Sequence, residues 1–116
     1  MYRFMMVLVL FLAATTLSAC APENAPPEIV SLESRARVVW PDDSVLIECV
    51  AEDPDGDELT YEWTSDRGTI SGYAGVVAWT APSEEGLARV SVTVSDGGEE
   101  PATGSVTVVI RRNIEP

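Results

Sequence analysis

From residue 28 onward apolar side chains recur at every second position in short runs, and turn formers separate the runs. That period predicts half-buried β-strands, not helices. Ile29 to Leu32 is a first strand, which Ala36 to Trp40 continues. In Val45 to Ala51, Val45, Ile47, Cys49 and Ala51 share one side, with Leu46, Glu48 and Val50 on the other. Leu59, Tyr61 and Trp63 line one face of the strand that follows, and Thr69 to Ser71 and Val76 to Thr80 are shorter strands. Val90, Val92 and Val94 alternate with polar residues, as do Val106, Val108 and Ile110. Asp96-Gly97-Gly98-Glu99-Glu100-Pro101 joins these two as a hairpin loop. A one-residue slip would turn each apolar set to water, so register is well specified. About seven strands with no room for crossover helices predict an all-β, antiparallel β-sandwich. Trp63 is expected between its sheets, where its replacement by Ala costs about 3–5 kcal/mol.

The start of the chain has a different pattern. Arg3 precedes an apolar run from Phe4 to Ala14, and Thr15 to Ala19 are small or weakly polar. A membrane-spanning helix needs about 20 apolar residues, whereas a run of roughly 7–15 behind a basic start reads as a secretory signal. Leu17-Ser18-Ala19-Cys20 resembles the lipobox of bacterial lipoproteins, Leu-(Ala/Ser)-(Gly/Ala)-Cys. The resemblance implies a diacylglyceryl group on the Cys20 sulfur, cleavage just before that residue, and palmitate-type acyl chains in a membrane. The other reading is a secreted protein cut after Ala19, with Cys20 a free thiol. The expected organisation is a signal peptide at 1–19, a lipidated Cys and Pro-rich tether at 20–27, a sandwich at 28–112 and a tail at 113–116. Three prolines between Ala21 and Pro27 make the tether a semi-rigid spacer, at about 3.1 Å per residue. Ala21 is not the Asp that resembles an inner-membrane retention signal, so the expected address is the cell envelope, at the outer membrane.

Charge narrows the function. Behind residue 19 six arginines face nineteen acids, formally −13, and the chain has no Lys and no His. Nucleic acid is excluded as a partner, because its phosphates need basic residues. An electrostatic grip on anionic lipid is excluded too, which leaves acyl chains to hold the protein, at about 0.8 kcal/mol per buried methylene. Serines lack their usual bases, and a His/Cys zinc site cannot be assembled. The chain reads as a non-enzyme.

Ala51-Glu52-Asp53-Pro54-Asp55-Gly56-Asp57-Glu58-Leu59-Thr60-Tyr61-Glu62-Trp63 resembles the pattern A-x-D-P-D-G-D-x-L-x-Y-x-W of PKD-type immunoglobulin-like domains. Ala78-Trp79-Thr80-Ala81-Pro82 and Val92-Thr93-Val94-Ser95-Asp96-Gly97 are similar to later parts of that pattern, over about residues 24–111. The resemblance implies an immunoglobulin-like sandwich that serves adhesion, spacing, or contact with envelope proteins or glycans. Two departures stand out. Gly86 is followed by Leu87 and Ala88 where an aromatic is common, which weakens one edge of the expected core. Asp42-Asp43 stands where a Gly commonly precedes the second strand.

The acidic stretch Glu52–Glu58 has three physical readings, of which a catalytic carboxylate pair needs a cleft that a small sandwich with tight loops does not offer. Asp-Pro and Asp-Gly form turns because Pro presets φ, Gly permits φ > 0 and Asp bonds its own backbone. Alternatively Asp53, Asp55 and Asp57, with Asp96 from the later loop, supply oxygens to a weak calcium site. Their spacing is not that of an EF-hand. Cys49 sits between Ile47 and Ala51 on the inward side and is expected to be a buried thiol with no partner in the chain. Tyr73 is the aromatic in a clearly loop-like segment, a thin hint of glycan stacking. The expected function is therefore a lipid-anchored module binding a protein or glycan. A calcium-dependent adhesion or carbohydrate-binding module is the alternative.

Overall fold

The computed structural model describes residues 25–112. The signal peptide, Cys20, most of the tether and the tail at 113–116 lie outside the described residues. Eight strands build two four-stranded sheets: β1 (Glu28–Ser34), β2 (Val38–Val39), β3 (Ser44–Glu52), β4 (Thr60–Ser65), β5 (Thr69–Ser71), β6 (Val76–Thr80), β7 (Gly86–Ser95) and β8 (Ala102–Ile110). The first sheet runs β1-β3-β6-β5 and the second β2-β8-β7-β4.

The alternating pattern of β3 is reproduced by its burial. Ile47 and Cys49 are buried, while Leu46, Glu48 and Val50 face out. On β7 the same period buries Ala88, Val90, Val92 and Val94. β7 and β8 pair antiparallel from Gly86↔Ile110 to Val94↔Ala102, closed by the expected hairpin. Ile47, Val77, Trp79, Val90, Val108 and Ile110 form the main core. Cys49, Val92 and Val94 form a second cluster, against which Leu59, Tyr61 and Trp63 pack.

Three expectations are corrected or refined. Ala36 to Trp40 does not continue β1. Arg35 N–H makes a last rung to Leu46 O, the Ser34 hydroxyl donates to Ala36 O at 2.6 Å, and the chain then crosses to the other sheet. There Val38 and Val39 pair parallel with β8, which gives an eighth strand and one parallel contact in an otherwise antiparallel sandwich. Val39 is buried there and Trp40 is exposed, the reverse of what alternation over Ala36 to Trp40 gives, because a period cannot report which sheet a strand joins. Next, Trp63 packs on both clusters yet stays half-buried, while Trp79 has no exposed surface. Trp63 does face the core, but Trp79 is the more deeply buried indole, and its Nε1 donates to Arg67 O at 2.9 Å. Lastly, the core edge at Gly86-Leu87-Ala88 is intact. Ala88 is buried, and Leu87 points outward opposite Val109. Asp42 adopts φ +67°, the left-handed conformation that a Gly would take there and that Asp tolerates.

Candidate functional site

β3 and β4 end and begin at one pole of the sandwich, and the loop between them carries Asp53, Asp55 and Asp57. Asp53 organises it. Its Oδ2 accepts N–H bonds from Asp55 at 3.1 Å and Asp57 at 2.7 Å, and its carbonyl accepts from Gly56 N–H at 3.0 Å. Gly56 sits at φ +76°, which a side chain would resist. The turn reading of this loop therefore has a concrete form. Asp55 does something no local reading supplied: its Oδ2 accepts from Ala25 N–H at 2.8 Å, fastening the approach to β1 across thirty residues of sequence.

The same loop brings charges together. Asp53, Asp55 and Asp57 each present one carboxylate oxygen within 4.8 Å of the others. Asp96, in the β7–β8 loop, joins them at Asp53. Four residues predicted as one group thus share one pole. Asp53 titrates above the ordinary 3.8. The hydrogen bond from Asp57 N–H lowers it, but desolvation, the bond to the Asp96 side chain and the charges of Asp57 and Asp96 outweigh that. Its Oδ1 is buried without a hydrogen-bond partner, an arrangement that usually has a cause. Calcium takes six to eight oxygens. These carboxylates could supply a few of those oxygens, and water would have to supply the rest.

Two hollows border this pole. One is broad and open, between the acidic loop and Ser95–Gly98. It does not exclude water from a reacting group, as an enclosed catalytic cleft does. The other, about 380 Å³, is lined by Leu59, Thr60, Tyr61, Tyr73 and Ala74. Tyr73 is 85% exposed, and the carbonyl of its neighbour Ala74 accepts from Trp63 Nε1 at 2.8 Å. The loop that holds Tyr73 is therefore fixed to the sandwich. Cys49 is buried and free, and burial pushes its thiol pKa up, which makes it a poor nucleophile.

Sequence reasoning passed over the outward face of the first sheet. The alternation of β3 puts Leu46 and Val50 on its solvent side, and two apolar residues flanking Glu48 there are a signal in themselves.

A protein-family model described as a bacterial Ig domain matches residues 24–109. Among solved structures, a nucleoside hydrolase-related hypothetical protein from Saccharophagus degradans, associated with carbohydrate metabolism, aligns with TM-score 0.56 and 21% identity over 75% of this chain and 25% of that one. The D00-D0 domain of intimin aligns with TM-score 0.55 and 11% identity, over 85% and 54% of the respective chains. The ZirS C-terminal domain gives 0.50 and 14%, over 93% and 88%. At these identities the likeness is one of fold alone. The chain spans a quarter of the first of these structures and about half of the second. No curated protein matches it.

Proposed function

The chain belongs to the bacterial Ig domain family, and from that premise we propose a lipid-anchored envelope protein whose Ig-like domain is a non-catalytic module for protein or glycan partners. One juxtaposition carries the reading. The family match begins at residue 24, four residues behind Cys20 of the lipobox-like Leu17-Ser18-Ala19-Cys20. A signal peptide, an acylated Cys20, a tether and an Ig sandwich then follow in working order. The bond from Ala25 N–H to Asp55 supports an orientation with the acidic pole toward the bilayer. Lipid on Cys20 is the membrane contact, and the outer membrane is the expected address. Tyr73 and Tyr61 offer apolar ring surface of the sort on which sugars stack. Fractionation of the producing cell tests the anchor. The chain should pellet with membranes and leave them only in detergent, and Cys20→Ser should abolish that behaviour. A Cys20→Ser chain that still pelleted and still needed detergent would contradict the reading.

A second reading is favoured by the gathering of Asp53, Asp55 and Asp57 carboxylate oxygens within 4.8 Å of one another, with Asp96 against Asp53: a calcium-dependent module, with these four residues around the ion. A bound ion stabilises by RT ln(1 + [L]/Kd), about 1.4 kcal/mol at ten times Kd. For a domain near this size, each kcal/mol shifts Tm by about 4–8 °C. Several millimolar calcium should raise Tm accordingly over excess chelator, and Asp53→Asn should remove the rise. An identical Tm in both conditions would dismiss calcium.

A further inference from the structure

The outward face of the first sheet carries residues that neither the core nor the turns employ. Leu46 and Val50 of β3 are 42% and 41% exposed, and Val76 of β6 is 47% exposed. Val30 of β1 lies at a register shift between Ile29 and Ser31 and is 56% exposed. Through the middle of these apolar groups runs a row of acids: Glu33 stands directly opposite Glu48, and Glu48 stands opposite Val76. A second acid pair, Glu28 opposite Glu52, lies toward the acidic pole. Arg35, one row from Glu33 beside Leu46, is the basic residue alongside, so four glutamates outweigh one arginine.

Like charges directly opposite one another weaken an antiparallel pair. Apolar side chains gathered on one exposed face mark a contact surface. Both features are costs to the isolated domain, and one class of occupant relieves both. We infer that this face docks a basic partner protein, one that presents Lys or Arg between apolar side chains. The guanidinium or ammonium group lies over Glu33 and Glu48, and the flanking apolar residues cover Val30, Leu46, Val50 and Val76. A second copy of this chain does not fit, because facing sheets would stack glutamate on glutamate. The formal charge of −12 on the whole chain steers a cationic partner toward it and repels an acidic one. The inference rests on the binding-module reading and gives that module a face and a partner class.

Two synthetic peptides titrated into the isotope-labelled full chain test this. Both have serine at alternate positions. The opposite face reads Val-Arg-Val-Arg-Val in one and Val-Glu-Val-Glu-Val in the other. The Arg peptide should shift the amide resonances of residues 30–33, 46–50 and 76–78. The Glu peptide should bind at least about tenfold more weakly, a difference of about 1.4 kcal/mol. The double variant Glu33→Gln/Glu48→Gln should lose about tenfold of the Arg-peptide affinity while melting no lower than the parent. Equal response to both peptides, no response to either, or unchanged affinity in the double variant would overturn the inference. Shifts centred on the Tyr61–Tyr73 hollow would overturn it too, and would leave the binding-module reading standing.

Discussion

Asp53 does two jobs that pull against each other. Its Oδ2 holds the turn through two backbone N–H groups, while its charge meets those of Asp57 and Asp96. Its raised pKa fixes the sign of a pH effect. The folded state binds the proton more tightly than the unfolded chain, so Asp53 favours folding most below 3.8. That contribution is lost as pH rises through the higher folded-state value. Asparagine keeps an acceptor oxygen and drops the charge. Asp53→Asn should therefore melt at or above the parent temperature at pH 7 in chelator, with a flatter response to pH just above 3.8. A clear drop in Tm at pH 7 would mean that the charge itself holds the loop. The turn chemistry could be read from Asp-Pro and Asp-Gly in one line of sequence. The bond from Ala25 to Asp55 could not, because nothing local records a contact between residues thirty positions apart.

Among the elements, the strands with strict alternation were the readable ones. β3, β7 and β8 follow from their valines and isoleucines, because the period of two leaves one inward face. Ala36 to Trp40 shows the limit. Alternation there would turn Ala36, Val38 and Trp40 inward and set Val39 with Arg37, yet Val39 is buried and Trp40 is exposed, because the segment changes sheet and pairs with β8. Two tryptophans show another limit. Both face inward, and pattern alone cannot rank their burial. Trp79 is on a central strand of its sheet, and Trp63 is on an edge strand. Trp79→Ala should cost about 3–5 kcal/mol, and Trp63→Ala less, when both are measured by denaturant unfolding. The reverse order would contradict this core. Gly68 stands guard over the same indole. At φ +81° a Cβ there would lie 2.5 Å from Thr80 O and 2.6 Å from Trp79 Nε1. The left-handed conformation alone costs a side chain about 1–2 kcal/mol, so Gly68→Ala should exceed that loss. A Gly68→Ala protein with parental stability would show that the β4–β5 loop relaxes freely.

On the scale of the molecule the arginines gather toward one pole, among Asp42, Asp43, Asp66, Glu84 and Glu85, and the other pole carries, among the described residues, acids alone. Glu28, the acidic loop and Asp96–Glu100 lie at the pole where the described chain begins. Arg35, Arg37, Arg67, Arg89, Arg111 and Arg112 lie toward the other, with the chain's remaining basic residue, Arg3, outside the described residues. With an acylated Cys20, the acidic pole faces the headgroups and the arginines face away. Under the proposed anchoring, repulsion between that pole and anionic lipid would hold the sandwich off the surface. In that proposed disposition the glutamate-centred face of the first sheet would be lateral, open to a neighbour in the same envelope. This arrangement depends on one covalent event. Intact mass spectrometry of the protein purified from the membranes of its producing cell measures it. The proposal predicts a polypeptide that starts at Cys20 and is heavier than its sequence by a diacylglyceryl group or more. A species that retains residues 1–19 with an unmodified Cys20 would contradict it.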